Sequence, residues 1–108
     1  MKLIIGGAYQ GKRQYAKEHF PQLEVVEDFH LIVLQQIKSG VDAVLHFKEN
    51  LSSYADKVII CDDISCGVVP IDFIMRKWRE DLGHTLAIAA KESDEVVRIF
   101  CGIGTRLK

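Results

Sequence analysis

The chain has 108 residues, 48% of them hydrophobic, and a formal net charge of −1. A domain of about this size buries roughly 65% of its unfolded surface, enough for one core, and a near-neutral charge excludes a general affinity for nucleic acid or membrane surfaces. Lys2-Leu3-Ile4-Ile5 runs at once into glycines, unlike a leader peptide, and no apolar run approaches the roughly 20 residues that span a bilayer, so a cytoplasmic protein without membrane insertion is expected.

Residues 2–5 (KLII) read as a short buried strand, and residues 12–20 (KRQYAKEHF) as a helix stopped by Pro21. Residues 23–26 (LEVV) fit a second strand. Residues 29–38 (FHLIVLQQIK) are apolar enough for either element, but ten residues ended by Ser39-Gly40 favour a helix. From Val44, the apolar positions Phe47, Leu51 and Tyr54 recur every three or four residues and predict another helix. Residues 57–61 (KVIIC) form a β-branched strand that ends in Asp62-Asp63. Pro70 opens a long helical pattern whose apolar stripe runs from Ile71 through Trp78 and Leu82 to Ala90, with Gly83 as a place to bend. Residues 95–101 (EVVRIFC) complete the set as a strand. No linker or repeat divides the chain, so a single domain is expected. Strands alternating with helices argue for an α/β fold, a parallel sheet with helices on both faces and right-handed crossovers. Ligands gather at the carboxyl ends of such strands. That directs attention to Gly6–Gly11, Asp62–Pro70 and Gly102–Lys108.

The first of these segments is close to a phosphate-binding loop, G-x-x-x-x-G-K-[ST]. Gly6, Gly11 and Lys12 fit it, and Arg13 stands where the hydroxyl belongs. Small residues (Gly6, Gly7, Ala8, Gly11) let backbone N–H groups curl around phosphates, with Tyr9 and Gln10 between them. A helix starts at Lys12 and turns its positive end to the anion, and the lysine itself reaches the outer phosphates. Arg13 cannot ligate Mg²⁺, because guanidinium only donates. The other reading is a Gly-rich turn with an incidental lysine; the placement between strand and helix favours phosphate. Asp62-Asp63 after an apolar strand resemble the acidic end of a metal-holding strand, and either becomes the main candidate ligand for Mg²⁺. Arg76, Lys77 and Arg79 either form a solvated face steadied by Glu80 and Asp81 or line an anion site, and Trp78 belongs to the core. Cys61, Cys66 and Cys101 read as reduced thiols.

Two blocks carry a resemblance to a known family. Gly6-Gly7-Ala8-Tyr9-Gln10-Gly11-Lys12 echoes G-G-A-R-S-G-K-S. Asp62-Asp63-Ile64-Ser65-Cys66-Gly67-Val68-Val69-Pro70, Arg76 to Gly83, Ser93-Asp94-Glu95-Val96 and Gly102 to Lys108 echo the pattern N-E-V-G-x-G-[IV]-V-P, R-x-F-R-D-x-x-G, A-D-x-V and G-[IV]-P-x-x-L-K. The chain resembles the bifunctional cobinamide kinase / cobinamide-phosphate guanylyltransferases of cobalamin biosynthesis over about half its length. The resemblance implies a three-layer P-loop nucleoside-triphosphatase-like domain with a mostly parallel sheet, and a homo-oligomer, a trimer in the family. It implies ATP or GTP with Mg²⁺ as cofactors and phosphorylation of the aminopropanol hydroxyl of cobinamide, or of a related alcohol. Lys12 would neutralise the β- and γ-phosphates, Asp62 or Asp63 would hold the metal, and Asp63 is a candidate to orient the hydroxyl. Family members are longer, and the acceptor histidine of guanylyl transfer sits in an H-R-x-x-R-P context that His19, His30, His46 and His84 lack. Guanylyl transfer is therefore expected to be lost. A non-catalytic nucleotide-binding paralogue that senses or scaffolds is the alternative.

Overall fold

The structure, a computed structural model, describes residues 1–64 and 72–108. The elements in chain order are β1 (Lys2–Gly6), α1 (Lys12–His19), β2 (Glu24–Val26), α2 (Phe29–Lys38), α3 (Ala43–Glu49), a 3₁₀ turn (Leu51–Tyr54), β3 (Lys57–Asp62), α4 (Phe73–Glu92), β4 (Glu95–Phe100) and β5 (Ile103–Arg106). They build one five-stranded sheet in the order β2-β3-β1-β4-β5. The first four strands run parallel, and β5 returns antiparallel on β4. The chain is thus an α/β protein with a mostly parallel, mixed sheet.

Successive strand side chains point to opposite faces, so a strand covered on both sides reads as an unbroken apolar run. This explains KLII and KVIIC. On one face Leu3, Ile59, Cys61 and Val96 meet Phe29, Val33 and Ile37 of α2, Ala43 and Phe47 of α3, and Leu82 and Ala89 of α4. On the other, Ile4, Val58, Ile60, Val97 and Ile99 meet Ala16 of α1 and Phe20. β1 is central because the chain steps from it to β2 on one side, while α4 carries it from β3 across to β4 on the other.

Three expectations change. The helix expected from Val44 ends at Glu49, and a 3₁₀ turn carries Leu51 and Tyr54. Asn50 caps that break and turns its side-chain amide back to the His46 carbonyl. Gly83 does not break α4, which runs 20 residues through it; Leu82, Thr85 and Ala89 are buried on either side. The strand read over residues 95–101 is not the last of the sheet: a two-residue hairpin follows β4. Cys101 and Gly102 both take positive φ (51° and 76°), the turn geometry that matches strand twist, and β5 follows. Residues 65–71, with Cys66, Pro70, Ile71 and much of the second family block, lie outside the described residues.

Candidate functional site

β1 closes on Gly6, where a Cβ would stand 2.5 Å from the Ile99 carbonyl oxygen, so a side chain there would force β1 and β4 apart. The chain then crosses an exposed arch, residues 7–9. It enters α1 through Gly11 at φ 91°, a left-handed conformation that glycine takes without strain. No side chain caps the first turn of α1. The N–H groups of a helix start have no partners within the helix, and no side chain among the described residues takes them here. The arch is tied down from behind. The Gln10 carbonyl accepts from the Gly102 N–H at 2.9 Å, and its side-chain oxygen accepts from the Cys101 N–H at 2.5 Å.

Lys12 is 7% exposed. Its Nζ donates to the Gly7 carbonyl at 2.5 Å and pairs with Asp62 Oδ1 at 2.7 Å. A buried ammonium is tolerable only when paired and hydrogen-bonded, and these two oxygens meet that condition. Sheet register delivers the carboxylate. Gly6 lies opposite Asp62 in the β1–β3 pairing, and the Asp63 N–H extends the ladder to the Gly6 carbonyl at 2.9 Å. Asp62 is also held from α2. Its N–H donates to His30 Nδ1 at 3.2 Å, and His30 Nε2 lies 3.5 Å from Asp62 Oδ2. Beneath it, burial pushes the Cys61 thiol up to about 12, with the Asp62 charge adding to the effect.

These groups border a cleft of about 630 Å³. Ala8 to Gln14 and Lys17 form one wall, Glu27, Asp28, His30 and Leu31 the other, and Ile60 and Asp62 come from β3. That volume lies in the range of small-molecule sites, about 300–1,000 Å³.

Sequence-predicted residues divide as follows. Ala8, Tyr9, Gln10, Gly11, Lys12, Arg13 and Asp62 line the cleft. Gly6 is buried behind it, and Gly7 contributes the carbonyl that holds Lys12. Arg13 turns away from the arch. Its Nε and Nη2 reach the two oxygens of Glu27 at 2.6 and 3.0 Å, a two-pronged pair on the rim. Asp63 is next to the site through its backbone, while the carboxylate that lines the cleft is that of Asp62. Among the described residues no three His, Cys, Asp or Glu side chains converge as a metal cluster. The donor set suits an ion such as Mg²⁺, which is held by one or two carboxylates, water and ligand phosphates rather than by an all-protein cage.

Lys77 pairs with Asp81 at 3.1 Å, which raises its pKa through that hydrogen bond and charge, and Arg76 is exposed beside it. Both belong to a solvated helix face. Trp78 packs against the core and its indole N–H donates to the His30 carbonyl at 2.7 Å. Cys101 is exposed at the hairpin turn and Cys61 is buried; both are free thiols. No helix among the described residues is long and apolar enough to cross a membrane.

Of the cleft residues that sequence reasoning did not single out, His30 and Glu27 make the polar contacts described above. The signal was their place just past β2, at the carboxyl end of a strand, but β2 is only three residues long. Neither a protein-family model nor a curated protein sequence matches the chain.

Proposed function

We propose that the cleft binds the phosphates of ATP or GTP together with Mg²⁺, in a three-layer P-loop nucleoside-triphosphatase-like domain. On this reading the chain is a compact relative of the cobinamide kinase / guanylyltransferase family that acts as a kinase on cobinamide or a related alcohol. The observation that carries the reading is Lys12: a buried ammonium at the uncapped start of α1, held by the arch carbonyl of Gly7 and by a carboxylate at the end of the adjacent strand. A triphosphate would exchange those partners for β- and γ-oxygens. Mg²⁺, when bound, spreads the charge that develops on those oxygens. In the transfer an acceptor hydroxyl oxygen bonds to the γ-phosphorus, the bond to the β–γ bridging oxygen breaks, and the hydroxyl proton passes to Asp62 or Asp63. Positioning and charge supply most of such catalysis.

Guanylyl transfer is not part of this reading. His30 is the histidine that lines the cleft, and its Nδ1 accepts the Asp62 N–H. The ring hydrogen is therefore on Nε2, the nitrogen that would have to attack, so His30 is a poor nucleophile in this arrangement.

Arg13 supports a second reading, a nucleotide-binding paralogue without catalysis. The position that would offer a hydroxyl to Mg²⁺ instead offers a guanidinium engaged with Glu27. Calorimetry with ATP and GTP, with and without Mg²⁺, separates these readings. Binding that tightens with metal is the outcome expected of the kinase. Metal-independent binding points to the paralogue, and no binding of either nucleotide would sink the nucleotide reading altogether.

A further inference from the structure

We propose that His30 is a positioning residue that fixes the Asp62 carboxylate, so that the carboxylate keeps its place when Lys12 leaves it for a phosphate. This rests on the nucleotide reading above. In the structure Lys12 is the closest partner of Asp62, at 2.7 Å. A triphosphate that draws Lys12 away removes that partner, and a carboxylate with nothing else to hold it would rotate out of register. His30 supplies the second hold. Its two ring nitrogens address one residue, Nδ1 the Asp62 N–H and Nε2 the Oδ2 that Lys12 does not use.

The tautomer follows from these contacts. A backbone N–H can only donate, so Nδ1 is bare and the hydrogen lies on Nε2, facing Oδ2. A flip of the ring would put Cδ2 and Cε1 where Nδ1 and Nε2 stand and lose both contacts with Asp62. It is also clamped from outside: His30 is 7% exposed, the Trp78 ring lies against it (6.4 Å between centroids, 28° between planes), and the Trp78 indole N–H holds the His30 carbonyl. His19, His46 and His84 are all exposed. Three elements, α4, α2 and β3, thus converge on the orientation of one carboxylate. A ring that served only to satisfy the Asp62 N–H would need Nδ1 alone.

Two substitutions separate these roles. In His30→Asn the side-chain oxygen replaces Nδ1 and the donor to the carboxylate is lost. In His30→Gln the amide reaches the place of Nε2 and restores that donor. Long-range ¹H–¹⁵N spectra of the unaltered, nucleotide-free protein should show a bare Nδ1 on His30. The carboxyl ¹³C resonance of Asp62 should move in His30→Asn and stay in His30→Gln. Outer partners of a metal-holding group are worth about 10–100-fold in metal affinity, so the Mg²⁺-dependent gain in ATP or GTP affinity should fall about tenfold in His30→Asn and recover to within about twofold in His30→Gln. A hydrogen on Nδ1, an unmoved Asp62 resonance in His30→Asn, or equal losses in the two variants would each overturn the proposal. Should the unaltered protein bind neither nucleotide, the nucleotide reading falls, and the proposal of a carboxylate kept ready for it falls too; the Asp62 resonance then decides the remaining point, whether His30 holds that carboxylate at all.

Discussion

The four helices begin in two different ways. α3 and α4 close their own first turns. Asp42 accepts from the Leu45 N–H at 3.1 Å, and Asp72 accepts from the Ile74 and Met75 N–H groups at 2.8 and 3.1 Å. α1 and α2 begin without a side-chain cap, behind Gly11 and behind Asp28, whose φ is 52°. Gly11 and Asp28 both line the cleft, and neither Asp42 nor Asp72 does. The two starts that border the cleft have no side-chain cap, although the Asp28 carbonyl takes the Leu31 N–H at 2.9 Å, and the two starts away from it are closed by aspartates. An open start forgoes about 1 kcal/mol of capping and leaves a site for an anion.

The largest test falls on the open start. Lys12→Ala removes the one ammonium that the arch holds by its Gly7 carbonyl. Triphosphate binding should weaken by roughly 1.5–3 kcal/mol, the scale of a charge-assisted hydrogen bond. Titration calorimetry on the folded variant reads this directly, and unchanged affinity would erase the distinction between the open and closed starts.

The next test lies one layer below, in β3. The Cys61 thiol is pushed from its ordinary value of 9.0 up to about 12, first by burial and then by the Asp62 charge. The folded protein therefore keeps a proton that the unfolded chain gives up. Stability from this source is complete below pH 9, and is lost progressively as pH rises toward 12. At about 1.4 kcal/mol per pH unit the loss should reach roughly 2 kcal/mol by about pH 10.5. Urea titrations across this range should fall more steeply for the natural chain than for Cys61→Ala. Parallel slopes would mean that the strand beneath the open start is not the dry environment described.

A smaller effect is expected at the closed start. Asp72→Ala should cost about 1 kcal/mol of stability, within the usual range of 0.5–2, because two N–H groups lose their acceptor. Nucleotide affinity should not change. A variant that binds more weakly yet melts as before would tie α4 to the site and dissolve the contrast.

How much of this contrast was legible in the sequence depends on the range of the interactions. The arch and Lys12 are contiguous in the chain, so spacing alone exposed them. KVIIC followed by Asp62 was legible because a doubly covered strand has a local signature. β5 was not: Ile103, Gly104, Thr105 and Arg106 are all exposed, and no buried face imposes alternation on them. The α3 boundary was missed because Phe47, Leu51 and Tyr54 keep a helical spacing across the break at Asn50. His30 reaches Asp62 across 32 residues, and Trp78 reaches His30 across 48. Nothing in FHLIVLQQIK separates a histidine that meets a carboxylate from one that merely fills an apolar helix. Arg13 stands at the hydroxyl position of the loop by spacing, and its pairing with Glu27, 14 residues away, has no local signature.

The smallest effect concerns an unmet polar group of the other kind. Thr85 is fully buried in α4, and its hydroxyl has no hydrogen-bond partner among the described residues. At α1 unmet groups face a cleft; at Thr85 the unmet group faces the interior, among neighbours such as Leu82 and Ala89 that belong to the core. A buried hydroxyl without a partner bears its desolvation cost with no return, and an apolar group of the same shape removes it. Valine has that shape and the same branching at Cβ, so the helix gives up no further side-chain freedom. Thr85→Val should therefore be neutral or stabilising by about 0.5–1 kcal/mol, seen as an equal or higher urea midpoint at unchanged slope, with nucleotide affinity untouched. Thr85→Ser keeps the hydroxyl and deletes the methyl, and should lose stability. If Thr85→Val instead cost more than about 1 kcal/mol, the hydroxyl would have a partner worth keeping, on the scale of a net hydrogen bond. Unmet polar groups would then be confined to the open starts around the cleft.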